Sequence, residues 1–100
     1  MAIFDNHHEA ERGCILQILM VRYPDPISFS RLYVQLIGQG QEATERDLRF
    51  HLYYLQQKGY VMLEKLSAGR AEIEMQTVRL SARGVDLLDR RIDADPGITF

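Results

Sequence analysis

The segment Ala43-Thr44-Glu45-Arg46-Asp47-Leu48-Arg49-Phe50-His51-Leu52-Tyr53-Tyr54-Leu55-Gln56-Gln57-Lys58-Gly59-Tyr60-Val61 contains a start signal, a buried face and a stop signal. Thr44 can cap a helix by accepting a hydrogen bond from a first-turn backbone N–H, and Asp47, three residues on, completes a shortened capping box. Leu48, Leu52 and Leu55 fall within about 40° of one another on a helical wheel, with His51 beside them, so they form a core-facing stripe. Arg46, Phe50, Tyr53 and Gln57 fall on the opposite side, with Arg49 on the flank. Gly59 occupies the place where a left-handed residue closes a helix, and the apolar spacing turns from helical to alternating straight after it. The segment predicts a helix over 44–58 that runs directly into a strand.

Upstream, Ser28 caps a second predicted helix over about 29–37, in which Phe29, Leu32, Tyr33 and Leu36 share a face. Gly38-Gln39-Gly40-Gln41-Glu42 is the polar turn between the two. A first helix is expected from about His7 to Arg22. Asn6 is its N-cap, Glu9 and Glu11 lie in its first turns, and Ile15, Ile18, Leu19 and Val21 follow a 3.6-residue period. Gly13 inside it costs about 1 kcal/mol relative to alanine, which leaves room for close packing at that position. Tyr23-Pro24-Asp25-Pro26 stops the helix, because proline removes a donor and disfavours helix at the residue before it.

Downstream, Val61 and Leu63 alternate with Met62 and Glu64, and Ser67-Ala68-Gly69-Arg70 supplies a turn. Ile73 and Met75 continue the alternation in the returning strand. The apolar parity then moves to Val78 and Leu80, the mark of a bulge near Gln76-Thr77. Ser81 caps a last helix with Val85, Leu88 and Ile92 on one stripe, ended by Asp95-Pro96-Gly97. Residues 98–100 are expected to be a loose tail. A lone pair of strands is not stable in water, so the hairpin must pack on the helices. The expectation is one α+β domain: three helices, a two-stranded hairpin and a C-terminal helix, with a core over about 7–92 and a flexible tail over 93–100.

Composition bounds the function. A chain of 100 residues is a common size for one hydrophobic core, and 46% hydrophobic with 26% charged residues is ordinary for a globular domain. The apolar run from Cys14 to Val21 is broken by Gln17 and falls far short of a membrane span. Asp5, His7, His8 and Glu9 stand where a signal peptide would be apolar, and one cysteine forms no intrachain disulfide; both favour a cytoplasmic location. The net charge of −2 opposes general nucleic-acid affinity, which rests on neutralising phosphates. Residues 41–70 alone lean basic, with five basic and four acidic side chains. A DNA footprint must therefore be local or shared between two chains. Lys65 and Arg70 near the hairpin tip are surrounded by Glu64, Glu72 and Glu74.

Sites of chemistry are sparse. His7, His8, Cys14 and His51 match no standard zinc spacing, and Cys14 in an apolar helix is a core thiol, so neither a metal nor a cofactor is expected. There is no phosphate-binding glycine loop and no nucleophile elbow, and no enzyme is expected. Asp86, Asp89, Asp93 and Asp95, interspersed with Arg90 and Arg91, fit a solvated helix face.

The segment from Ala43 to Val61 resembles the bacterial winged helix-turn-helix pattern, in which a serine or threonine cap precedes a helix ending in leucine, two or three polar residues and glycine. Leu80-Ser81-Ala82-Arg83-Gly84-Val85-Asp86-Leu87-Leu88 resembles that family's closing segment, where a strand ends in leucine and a capped helix with an internal glycine follows. The resemblance covers about residues 10–92. More loosely, the small size and the Asp95-Pro96-Gly97-Ile98 ending look like small winged-helix proteins of Mu-like phages. The family likeness implies a winged-helix fold with the hairpin as wing, sequence-specific binding of double-stranded DNA, and a homodimeric transcriptional regulator.

In that motif the N-terminal end of the recognition helix goes deepest into the major groove, which here means Thr44, Glu45 and Arg46. Arg46, Arg49, Phe50 and Tyr53 would read or position DNA, since arginine pairs bidentately with guanine and aromatics pack on thymine methyls or sugars. Lys58, Lys65 and Arg70 are the candidate phosphate contacts. The same arginine-and-aromatic face also suits a protein interface, where both residue types are enriched. A protein-binding module of a phage or a larger assembly, without DNA binding, is the alternative.

Overall fold

In the computed structural model, which describes residues 7–68 and 73–100, the chain is a small α+β domain of four helices and one three-stranded antiparallel sheet. The elements run α1 (His7–Arg22), β1 (Ile27–Ser28), α2 (Phe29–Gly38), α3 (Glu45–Gln57), β2 (Val61–Ala68), β3 (Ile73–Leu80) and α4 (Ala82–Leu88). Among the described residues no helix is long and apolar enough to cross a membrane. The expected Asn6 cap and part of the turn expected at Ser67-Ala68-Gly69-Arg70 lie outside the described residues.

Local signals place the helices. Ser28 Oγ accepts from Arg31 N at the start of α2. At the start of α3, Thr44 Oγ1 accepts from Asp47 N at 3.1 Å, and Asp47 Oδ2 accepts from Thr44 N at 3.0 Å, a complete capping box. The Thr44 N–H first, and the Thr44 hydroxyl beside the carboxyl second, hold the Asp47 carboxyl below its ordinary range. At the other end Gly59 has φ of 81°, the Gly59 N–H reaches Gln56 O and the Tyr60 N–H reaches Leu55 O. This paired closure needs a left-handed residue, which glycine supplies without a Cβ penalty.

The core lies where α1, α2, α3 and the base of the sheet meet. Leu48, Leu52 and Leu55 of α3 pack with Ile15, Leu16 and Leu19 of α1, Leu32 and Leu36 of α2, and Val61, Val78 and Leu80 of the sheet, all buried. Each fully buried leucine contributes on the order of 2 kcal/mol through apolar area removed from water.

Three sequence expectations are corrected. The sheet has three strands in the order β1-β3-β2, not two: Ile27 and Ser28 pair with Val78 and Thr77. A two-residue strand between Pro26 and a helix cap is too short to show any period, and the buried Ile27 is its only apolar sign. The bulge is absent as well. The β2–β3 ladder runs unbroken from Val61↔Leu80 to Ala68↔Ile73, through Glu64↔Thr77 and Lys65↔Gln76. Because Leu63 pairs with Val78 while Leu66 pairs with Met75, the apolar parity changes in both strands together, so an ordinary ladder accommodates it.

The third correction concerns the C-terminus. α4 stops at Leu88, short of Ile92. Asp89 is its C-cap and Arg90 takes a left-handed φ of 60°, with Arg90 N bonded to Leu87 O and Arg91 N to Asp86 O. The geometry matches the closure of α3, but arginine stands where glycine is usual. The chain beyond it is not loose. Ile98 is buried, Thr99 N donates to Glu9 O at 3.0 Å, and the Thr99 carbonyl sits against Gly13 so closely that a Cβ there would overlap it.

Candidate nucleic-acid interface

The outer face of α3 is built from the helix geometry alone. With three leucines turned to the core, Glu45, Arg46, Arg49, Phe50 and Tyr53 are left exposed on one side. Phe50 is 61% and Tyr53 63% exposed, values far above those of aromatics that serve a monomer's own core. The Arg46 guanidinium lies 5.6 Å from the Phe50 ring centroid, and the Arg49 guanidinium 5.1 Å from that of Phe29 in α2. Arg49 Nη2 is 4.0 Å from Glu45 Oε2, an exposed pair one helical turn apart that holds little energy in water. Thr44 is exposed at the entry of the helix, its hydroxyl already used by the cap.

The phosphate candidates are not equivalent. Lys58 Nζ lies 3.7 Å from Asp95 Oδ2 and 5.6 Å from the Tyr54 ring, so it ties the C-terminal segment to α3. Lys65 is exposed on β2, and Arg79 Nη2 nearby on β3 pairs with Glu64 Oε1 at 3.3 Å. Arg70 lies outside the described residues. The structure therefore brings Thr44, Glu45, Arg46, Arg49, Phe50 and Tyr53 together, sets Lys65 apart on the hairpin, and engages Lys58 elsewhere.

Behind this face lies a groove of about 540 Å³ between α1 and α3, lined by His8, Arg12, Phe50, His51, Tyr53 and Tyr54 among others. Its floor holds a polar cluster that the sequence pattern did not announce. Glu11 is fully buried, and its Oε2 accepts from the buried His51 Nε2. Arg12 Nε donates to His51 Nδ1 at 3.2 Å, Arg12 Nη1 to Gly97 O at 3.1 Å, and its guanidinium lies 4.0 Å from the Tyr54 ring centroid. Since arginine can only donate, His51 Nδ1 is an acceptor, and the proton sits on Nε2 facing Glu11. Burial lowers the His51 pKa, outweighing the upward pull of the Glu11 carboxylate, so the ring is neutral.

A signal for this cluster exists in the sequence. Glu11 stands four residues before Ile15 and seven before Ile18 on the apolar stripe of α1, and His51 stands inside the leucine stripe of α3. Two ionisable groups on facing core stripes must pair or be costly.

A second buried carboxylate anchors the C-terminus. Asp95 accepts from Tyr60 Oη at 2.9 Å, Gly97 N at 2.8 Å and Tyr54 Oη at 3.4 Å. Burial alone would raise the Asp95 pKa, but the Gly97 and Tyr60 hydrogen bonds, the Lys58 charge and the Tyr54 hydroxyl together hold it below the ordinary carboxylate value. The neighbouring Tyr60 hydroxyl is pushed up by burial and by Asp95. The half-buried Cys14 thiol is raised by burial, the opposite of what a reactive thiolate needs. No known family model matches this chain, and comparison with curated proteins finds no relative.

Proposed function

We propose that this protein binds double-stranded DNA as a small homodimeric transcriptional regulator of the winged-helix type, with α3 as the recognition helix and the β2–β3 hairpin as the wing. The observation that carries the reading is the outer face of α3: Arg46 and Arg49 exposed beside the exposed rings of Phe50 and Tyr53, on a helix held rigid by buried leucines. A surface helix with no partner has little physical reason to expose two large aromatics next to two arginines. The capping box leaves the N-terminal turn of α3 regular, which is the end that approaches base edges in this motif. The connection from Gln39 to Thr44 is longer than the three or four residues of the tight helix-turn-helix motif, so α2 and α3 would dock with their own spacing. The hairpin plays a minor part in this reading, because among the described residues it offers Lys65 alone of the candidate phosphate contacts, with Glu64 beside it.

Fluorescence anisotropy with a labelled random-sequence duplex at low salt tests the proposal. Wild type should bind, and the Arg46→Ala/Arg49→Ala double variant should lose at least tenfold in affinity with an unchanged circular dichroism spectrum. Absence of binding by wild type, or equal binding by the double variant, rejects it.

The same exposed rings favour a second reading, a protein-binding module without DNA affinity, since the groove beside Phe50 and Tyr53 suits an apolar side chain of a partner. That reading expects Phe50→Ala and Tyr53→Ala to change the mass measured by light scattering while DNA affinity stays negligible throughout.

A further inference from the structure

All three histidines of this chain converge on one buried carboxylate. His7 and His8 come from the first turn of α1, Glu11 from its second, and His51 from the middle of α3. Nδ1 or Nε2 of His8 and His51 and one carboxylate oxygen of Glu11 all lie within 4.8 Å of one another. His8 Nδ1 is 3.8 Å from Glu11 Oε2, and His7 Nε2 lies against the other oxygen, Oε1. Oε1 is fully buried, and the polar group that faces it is the His7 imidazole. A carboxylate taken fully out of water needs partners or a counter-charge, and the groups gathered round this one are imidazole nitrogens, which offer lone pairs as readily as protons.

We propose that His7, His8, Glu11 and His51 form a binding site for one divalent cation of the zinc class, clamping the start of α1 onto α3. The chemistry of the donors selects the ion. Three imidazoles with one carboxylate suit zinc, and cobalt as its spectroscopic substitute, whereas magnesium and calcium take oxygen donors. Zinc–nitrogen bonds of about 2.0–2.1 Å place tetrahedral donors roughly 3.3 Å apart, a contraction that small rotations of the exposed His8 and of His7 can supply. His8 is 56% exposed and lines the groove between α1 and α3, which gives an ion a path in.

Loading requires one rearrangement. His51 now carries its proton on Nε2, facing Glu11. To offer that lone pair it must shift to the tautomer protonated on Nδ1, and Arg12 must leave Nδ1. Arg12 keeps its contacts with Gly97 O and the Tyr54 ring when it does so. No net proton is released from the ring. The ion takes the place of the His51 proton at Glu11 Oε2, and its charge balances the carboxylate.

The site is tested on tag-free protein without reference to DNA. Titration with Co²⁺ should give the intense visible ligand-field bands of a four-coordinate ion at one equivalent per chain, displaced by Zn²⁺. Zn²⁺ should also raise the thermal midpoint. His8→Ala, on an exposed residue, should weaken Zn²⁺ affinity at least tenfold by calorimetry with unchanged circular dichroism. His51→Gln should weaken it further where it folds, and His8→Ala carries the test alone if it does not. Absence of ion binding by wild type overturns the proposal, and so does Zn²⁺ affinity that His8→Ala leaves intact.

Discussion

Thr44 and Arg90 show how single residues set the limits of the helices. Thr44 and Asp47 exchange two hydrogen bonds at the start of α3, satisfying first-turn groups that the helix cannot satisfy itself. Thr44→Ala should destabilise the protein by about 1 kcal/mol in urea denaturation. Arg90 is the reverse case, a side chain in the left-handed region where glycine would be unstrained. Arg90→Gly should stabilise by about 1 kcal/mol, read by the same denaturation, and a loss of stability would show that the Arg90 side chain contributes more than its backbone strain costs. The two ends also differ in legibility. Threonine followed three residues later by aspartate announces a cap through local chemistry alone, whereas an arginine that stops a helix is invisible, because nothing in its chemistry marks the turn.

Among the elements, the C-terminal segment does the most unexpected work. It crosses α1 at Gly13, receives Arg12 at Gly97 O, and inserts Asp95 beside Tyr60, Tyr54 and Lys58. Gly13→Ala should push the Thr99 carbonyl off α1 and increase hydrogen exchange at Thr99 N, which now donates to Glu9 O. Asp95 also links this segment to pH. Its folded pKa lies below the unfolded value of about 3.9, so its contribution to stability is complete above that value. The contribution is lost as pH falls through the lower folded value. Asp95→Asn should therefore lower stability at neutral pH and flatten the acid limb of the stability–pH curve, as followed by thermal unfolding. The final residues read as a tail because Pro96 and Gly97 signal a stop, and periodicity says nothing about where a chain goes after one.

At the scale of the whole molecule the net charge of −2 and the basic face of α3 pull in opposite directions. With Lys58 engaged by Asp95, the cations left for phosphate among the described residues of the proposed interface are Arg46, Arg49 and Lys65. Three phosphate contacts correspond to a slope of about −3 per subunit in log affinity against log salt. Anisotropy titrations at several salt concentrations measure that slope directly. A value near zero would place the binding outside electrostatic contact with the backbone. The exposed Val21, Val34 and Ile37 on α1 and α2 offer apolar surface for the second subunit of the proposed dimer, which analytical ultracentrifugation would register as a doubled mass.

Sequence alone determined what depends on neighbours along the chain: the caps at Ser28, Thr44 and Ser81, the leucine stripe, the glycine closure at Gly59 and the exposure of Phe50 and Tyr53. Each follows from helical spacing or from hydrogen bonds within a few residues. Tertiary structure decided what depends on distant segments meeting. Ile27 became a strand because β3 was there to pair with it. Glu11 and His51, forty positions apart, became partners because two core stripes face each other. The C-terminus docked because Gly13 leaves room for a carbonyl. Contacts of that range are set by how the elements pack, and no local pattern encodes which one an isolated apolar or charged residue will make.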